Sequence, residues 1–350
     1  MDKRRGRVKW GPSGTRSRTT DAYWKQPLKW NREAMDYRLR GCHGCGEEIY
    51  PHRVVGRLCC PGCQATALSE PIADDIDPTR RPRVFCASLA DVFEHWSGPI
   101  VDHRGYQLLL CCACDTKYAT QDYDGVNCCP KCETGRYCRA LTMDDLRSDL
   151  FKLIDATPHL DWQLLTKRPE NIRRMWSPTP GVSPQHPSDI YDEAIGIPYR
   201  HNCWLGTSVS NQETANKQIP ELLKCRDLAS KLFVSAEPLL GPVDCRPGAY
   251  GTFLDHDTKG ENDPDLWIFG GESGPKARPC DVGWIRSGVR QCQSSGTAAF
   301  VKQLGSFAVD GTGHKGTVPV EHYPPLYLNH KKGGNPSEWP EGLRIQEFPA

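Results

Sequence analysis

Six short stretches of the chain are apolar almost without interruption: Arg83–Ala87 (RVFCA), Trp162–Thr166 (WQLLT), Cys203–Val209 (CWLGTSV), Leu232–Ser235 (LFVS), Leu266–Phe269 (LWIF) and Ala298–Lys302 (AAFVK). A strand with one wet face alternates apolar and polar residues, whereas a continuous run of this length suits a strand covered on both faces. Between several of these runs the period lengthens to that of a helix. Met143–Ile154 places Leu146, Leu150 and Leu153 on one side, and Gln212–Lys224 and Val282–Gln293 each follow a residue suited to an N-cap, Asn211 and Asp281. Strand and helix alternating in this way predict an α/β fold with a parallel sheet, either a barrel or a doubly wound sheet. The proline-rich stretch Ser177–His201 and the Gly- and Asp-rich Asp244–Asp265 read as surface loops or insertions, and the tail beyond residue 306 (HKKGGNPSEWPEG) offers little to pack.

Superimposed on this pattern is a repeat of another kind. Cys42-His-Gly-Cys45 is followed after fourteen residues by Cys60-Pro-Gly-Cys63, and Cys111-Cys-Ala-Cys114 after fourteen by Cys129-Pro-Lys-Cys132. An extra cysteine precedes the second pair in both copies (Cys59, Cys128), and a glycine recurs at the same offset (Gly56, Gly125). Two short turns, each offering two sulfurs and joined by a hairpin, supply the tetrahedral four-thiolate set of a zinc ribbon. Zn²⁺ is the expected ion at both sites, and iron is the alternative, since rubredoxin-like sites use the same knuckles. A disulfide framework would suit a small secreted protein with an apolar leader; the chain opens instead on the basic, polar MDKRRGRVKW. A closed four-cysteine shell leaves no open position for chemistry at the metal, so each site either staples a loop or also helps to grip a nucleic acid or a partner protein. Cys138 could serve as a spare thiolate, while Cys86, at the end of a buried run, suits a core position.

Charge adds a third element. The net charge of the 350 residues is +1, yet residues 1–40 hold twelve Lys/Arg against four Asp/Glu. Arg4, Arg5, Arg7, Lys9, Arg16 and Arg18, interleaved with Trp10, Tyr23, Trp24 and Trp30, fit phosphate contact with base stacking. A solvated, partly ordered leader is the plainer reading. With a mean hydropathy of −0.59 and no run near the roughly 18 apolar residues of a membrane span, no membrane partner is expected and the location expected is the cytoplasm.

The apolar runs also end alike. Ser88 and Asp91 follow the first, Lys167 and Arg168 the second and Asn211 the third, while Glu237 follows the fourth and Glu272 and Ser273 the fifth; Lys302 closes the sixth. Ligands of α/β folds bind at the carboxyl ends of strands, where loops converge, so these nine residues are candidate catalytic or ligand-binding groups. The competing reading is that strand ends meet water in any case.

The segments TTDAYWKQPLKWNREA, RPRVFCASLADVFEHW, TPHLDWQLLTKRPENIRRMW, CWLGTSVSNQE, LFVSAEPLLGPVD, LWIFGGESGPKARP and FVKQLG resemble, in this order, a bacteriophage and prophage protein family of unknown function described as three-cysteine-motif, radical-SAM-like proteins. The resemblance implies a radical-SAM-like partial (β/α) barrel of about six parallel strands, a site in its mouth formed by the strand-end residues, and S-adenosylmethionine with a [4Fe–4S] cluster as cofactors. It also implies the cytoplasm of a host cell as the location if the protein is phage-encoded. On this reading residues 1–37 are a basic segment, 38–68 a first inserted zinc ribbon, 81–306 the barrel, 106–140 a second inserted ribbon, and 307–350 an irregular tail. One departure stands out: the three-cysteine loop that holds the cluster would lie before WGPSGTRSRTT, and no cysteine triplet with a three-residue and then a two-residue gap occurs in the sequence. The expectation is therefore a barrel protein that acts on or binds nucleic acid or a nucleotide, its reaction open. The alternatives are a non-catalytic ribbon protein that binds nucleic acid, or a chain completed by a separately encoded, cluster-binding partner.

Overall fold

The computed structural model describes residues 16–54, 57–76, 81–86, 91–122, 129–132, 138–176, 199–245, 263–312 and 318–349. The chain divides into two compact units, Met1–Pro82 with Glu94–Leu160, and Arg83–Phe93 with Asp161–Ala350.

The first unit contains both cysteine blocks and two helices, α1 (Asp21–Ala34) and α2 (Met143–Asp155). In the first block the strand Arg38–Cys42 lies between Glu48–Ile49 and Leu68–Ile76, antiparallel to both, and His52–Val54 pairs with Arg57–Cys59 as a separate hairpin. The second block repeats the plan, with Leu108–Cys111 between Lys117–Ala119 and Cys138–Ala140. In both, the central strand runs straight into the first Cys-x-x-Cys turn. Leu108 and Leu110, two residues apart and therefore on one face of their strand, pack with Ile100, Ala119 and Leu141 and with Met143 and Leu146 of α2. A capping box fixes the start of that helix: the Thr142 side chain accepts from the Asp145 N–H, and the Asp145 carboxylate accepts from the Thr142 N–H. Arg139 forks onto the same carboxylate at 2.6 and 2.7 Å, tying the last ribbon strand to the helix.

The second unit is built on six parallel strands: Arg83–Cys86, Asp161–Thr166, Arg200–Val209, Ala229–Ala236, Leu266–Gly270 and Ala298–Gln303. Their order across the sheet is their order along the chain, first to sixth, the topology of a half-barrel. These are the six apolar runs, each lengthened or shortened by a few residues. Register separates their faces. Phe85, Leu165, Trp204, Phe233, Leu266, Ile268, Ala298 and Phe300 form one apolar cluster on the inner face. Gly206 makes room for it, because a Cβ there would lie 2.2 Å from the Phe233 ring. The unit's helices are α3 (Ile172–Met175), α4 (Gln212–Leu223) and α5 (Val282–Ser295). From the other face, Thr207 reaches Gln218 of α4, and Phe269 meets α5 at Gly288.

The tail packs after all. Trp339 and Leu343 are buried, with the Trp339 indole N–H donating to the Gly333 carbonyl at 2.9 Å. Residues 345–347 run beside the sixth strand, where the Val301 N–H donates to Ile345 O and the Glu347 N–H to Ala299 O. Phe348 then closes the amino-end of the inner face, 5.1 Å from Phe300 and with the Arg83 guanidinium 3.8 Å above its ring.

Candidate metal centres and the mouth of the half-barrel

Cys42, Cys45, Cys60 and Cys63 bring their four sulfurs together, and so do Cys111, Cys114, Cys129 and Cys132; within each group the sulfurs lie within 4.8 Å of one another. Cross-knuckle Sγ···Sγ distances are 3.5 and 3.8 Å in the first group and 3.6 and 3.4 Å in the second. A tetrahedron with Zn–S near 2.3 Å has an edge of about 3.8 Å, while a disulfide would need about 2.05 Å. All eight thiols are free. The backbone supports the same assignment, since Gly44 N–H points at Cys42 Sγ (3.3 Å) and Lys131 N–H at Cys129 Sγ (3.4 Å), donors that neutralise part of a thiolate's charge. After the second cysteine of three knuckles the chain turns through the left-handed region, at Gly46 (φ 80°), Gln64 (φ 60°) and Asp115 (φ 55°). Only the first of these is the glycine that such a turn favours.

The residues present fit a four-coordinate zinc, held by those eight cysteines in two sets, which would supply a cross-link for the ribbons. They do not fit the cluster of a radical-SAM enzyme: among the described residues the cysteine groups that could hold a metal are these two closed sets, with no three-thiolate arrangement beside an open position. Cys138 stands directly opposite Cys111 in the ladder and packs with Tyr118 around the second set, without being one of its four members.

The strand-end candidates separate into groups. Glu237 and Lys302, 65 positions apart, form an ion pair at 3.0 Å, and the Ser235 hydroxyl donates to the same carboxylate oxygen at 3.1 Å. Glu237 Oε1 lies so close to Gly270 that a Cβ there would sit 2.5 Å away. The Lys302 ammonium is 5.3 Å above the Phe85 ring, joining the last strand to the first across the inner face. Asp91, Lys167 and Arg168 form a second group: the Asp91 carboxylate accepts from the Thr166 hydroxyl (2.6 Å), the Phe93 and Lys167 N–H groups and the Arg168 guanidinium (2.8 Å). That carboxylate is saturated with donors and organises its turn. Asn211 caps α4, its side chain accepting from the Thr214 N–H. Glu272 is held by Arg278 at 2.8 Å, and these hydrogen bonds lower its pKa below the usual glutamate value; Ser273 is exposed beside it. Ser88, Arg4, Arg5, Arg7 and Lys9 lie outside the described residues. Arg16 is engaged within the protein, forked onto Glu94 at 2.7 and 2.8 Å and stacked on Trp96, and Arg18 pairs with Asp21.

One inner-face group escapes sequence reasoning. Gln163 is 5% exposed and its Nε2 has no hydrogen-bond partner among the described residues. Its register partners are Phe85 and Trp204, both on the inner face. A buried amide with an unused donor costs about 1–3 kcal/mol, a penalty that a ligand oxygen would remove. Its only sequence signal is a polar residue inside an otherwise apolar strand.

Against known proteins, the model of DUF5131, a family of proteins of unknown function, matches residues 137–334. The match spans the second to sixth strands and leaves all eight clustered cysteines outside. Neither the curated proteins nor the solved structures contain a match.

Proposed function

The chain belongs to the DUF5131 family, and from that starting point we propose that its half-barrel binds a nucleoside-type ligand at the carboxyl ends of the strands, while the two ribbons are structural zinc modules outside the family's common core. The radical-SAM-like character implied by the sequence resemblance belongs to this reading, as does action on a nucleotide or nucleic acid. The observation that carries it is the inner face itself. An aromatic floor of Phe85, Phe233 and Phe300 lies under the polar group Ser235–Glu237–Lys302, with the unused Gln163 amide beside the floor. Flat apolar rings below, and a carboxylate and an ammonium above, match a base joined to a hydroxylated, charged moiety. Glu237 can accept from ribose hydroxyls or an amine, and Lys302 can pair with a carboxylate or a phosphate.

Isothermal titration of the zinc-loaded protein with S-adenosylmethionine, AMP and GMP tests the proposal. Saturable binding of at least one of them, weakened about tenfold or more by Glu237→Gln or Lys302→Met, is the expected result. No heat with any of the three, or binding that both variants leave untouched, overturns it. Metal analysis of the same preparation should return two zinc ions per chain.

A further inference from the structure

Three backbone segments meet at the carboxyl end of the fifth and sixth strands. The turn 303–306 is their hub. Gly271 N–H donates to Gln303 O, Ser306 N–H to Glu272 O, and Gly274 N–H to the Ser306 hydroxyl, which fastens the loop after the fifth strand. On its other side Leu304 N–H donates to Gly333 O, Gly305 N–H to Lys332 O, and the Ser306 hydroxyl to Lys331 O, which fastens a loop of the tail. Gly333 (φ 58°) is required there, since a Cβ would lie 2.6 Å from the Gly305 carbonyl. The buried Trp339 indole anchors the same residue from below.

The outcome is that cations from distant parts of the sequence share one rim. Lys276, Arg278, Lys331 and Lys332 are exposed, and no ion pair joins Lys276, Lys331 or Lys332 to a carboxylate among the described residues. The facing acids are engaged. Glu272 is held by Arg278, Glu237 by Lys302, and Glu338 accepts from the Asn329 and His330 N–H groups under the loop. Tyr327, four residues before Lys331, is 92% exposed, more than any other large hydrophobic side chain described. An exposed aromatic ring four residues along the chain from exposed lysines that pair with no carboxylate among the described residues suits a single strand, the ring stacking a base and the ammonium groups following its phosphates.

We propose that this rim, Tyr327 with Lys276, Lys331 and Lys332, docks single-stranded nucleic acid and presents it to the mouth of the half-barrel. The inference rests on the reading of that mouth as a nucleoside site and names the polymer that would reach it. A duplex keeps its bases stacked on one another and cannot use Tyr327, so it binds the rim more weakly.

The test is fluorescence anisotropy of the zinc-loaded full chain with a labelled 12-nucleotide oligothymidylate at a series of salt concentrations. The wild type should bind with an affinity that falls as salt rises. The double variant Lys331→Glu/Lys332→Glu should bind at least about tenfold more weakly, and its log–log salt slope should be shallower by about 1.4, two phosphate contacts at about 0.7 each. Tyr327→Ala should lose about tenfold with the slope unchanged. These are surface positions, and an unchanged thermal midpoint verifies folding. No salt-dependent binding by the wild type, or lysine variants with the wild-type affinity and slope, overturns the proposal. Loss of binding on deleting residues 1–15 while the lysine variants bind normally does so too, and assigns the strand to the basic arm. The two readings separate cleanly. Titration with S-adenosylmethionine, AMP and GMP reports on the half-barrel alone, and the lysine variants report on the rim alone.

Discussion

The two ribbons use one ligand plan on two different foundations. In the second, the central strand buries Leu108 and Leu110 against Ala119, Leu141 and the first turn of α2, and Arg139 locks its last strand to that helix. In the first, Ile76 is buried at one end of the longest strand, but Ile72 in the same strand is 52% exposed. The ligands follow suit. Cys45 and Cys63 are exposed, whereas their counterparts Cys114 and Cys132 are half-buried. In both sets the thiols titrate together, one being lowered (Cys42, Cys129) and another raised (Cys45, Cys111), so the ligands' exposure and not their acidity separates the two ribbons. Identical cysteine spacing therefore fixes the grouping of the four thiols but not how far each fold would depend on a bound ion. The first ribbon should be held by its ion, the second by its ion and a small core.

The sharpest way to break this contrast is to remove one ligand from each. Cys60→Ser and Cys129→Ser should each cost one zinc per chain, read by metal analysis. Because binding free energies of structural zinc reach about 10–16 kcal/mol, Cys60→Ser should abolish hydrogen-exchange protection throughout Arg38–Cys42 and Leu68–Ile76. Cys129→Ser should leave Leu108–Leu110 partly protected. Equal loss in both would end the distinction. Next in size, Leu110→Ala should lower the stability of the second ribbon by about 2–5 kcal/mol, measured by urea unfolding, with both zinc ions retained. Competition with a chromogenic chelator should then resolve two phases, the first ribbon releasing its ion about tenfold faster or more, assigned by repeating the trace on the two serine variants. Asp145→Asn should cost about 1 kcal/mol through the lost cap. Burial opposes ionisation of Asp145, but the Arg139 guanidinium and the Thr142 donors outweigh it and hold its pKa at about 2. Its contribution is thus complete above the ordinary aspartate range near 4 and disappears only as pH falls through about 2. Smallest of all, Cys138→Leu copies the first ribbon, where Leu68 faces Cys42, and should leave two zinc ions in place.

Much of this was legible in the residues. The six strands, α2, α4 and α5, the caps Asn211 and Asp281 and both thiolate sets follow from local pattern and spacing. Local signals fail where a partner supplies the order. Leu68–Ile76 contains Pro71, Asp74 and Asp75 and carries no strand pattern, yet pairs with Arg38–Cys42 because the knuckles bring the two together. Pro27 hides α1, where it sits inside the helix. Trp339 and Leu343 are isolated among prolines and glycines, and their burial depends on a loop fastened to residues 304–306. The same holds for the site. Glu237 and Lys302 can be named singly from strand ends, but their pairing is a product of register, and Gln163 gains meaning only once its strand has a defined inner face.

The backbone pairing of residues 345–347 with the sixth strand has a consequence for solution behaviour. An uncovered outer strand is a template on which a neighbouring molecule can add its own strand. By occupying that edge, the chain's own tail guards it against self-association. A version cut after Leu343 should therefore form concentration-dependent oligomers in light scattering, and fusions used for purification belong at the opposite terminus.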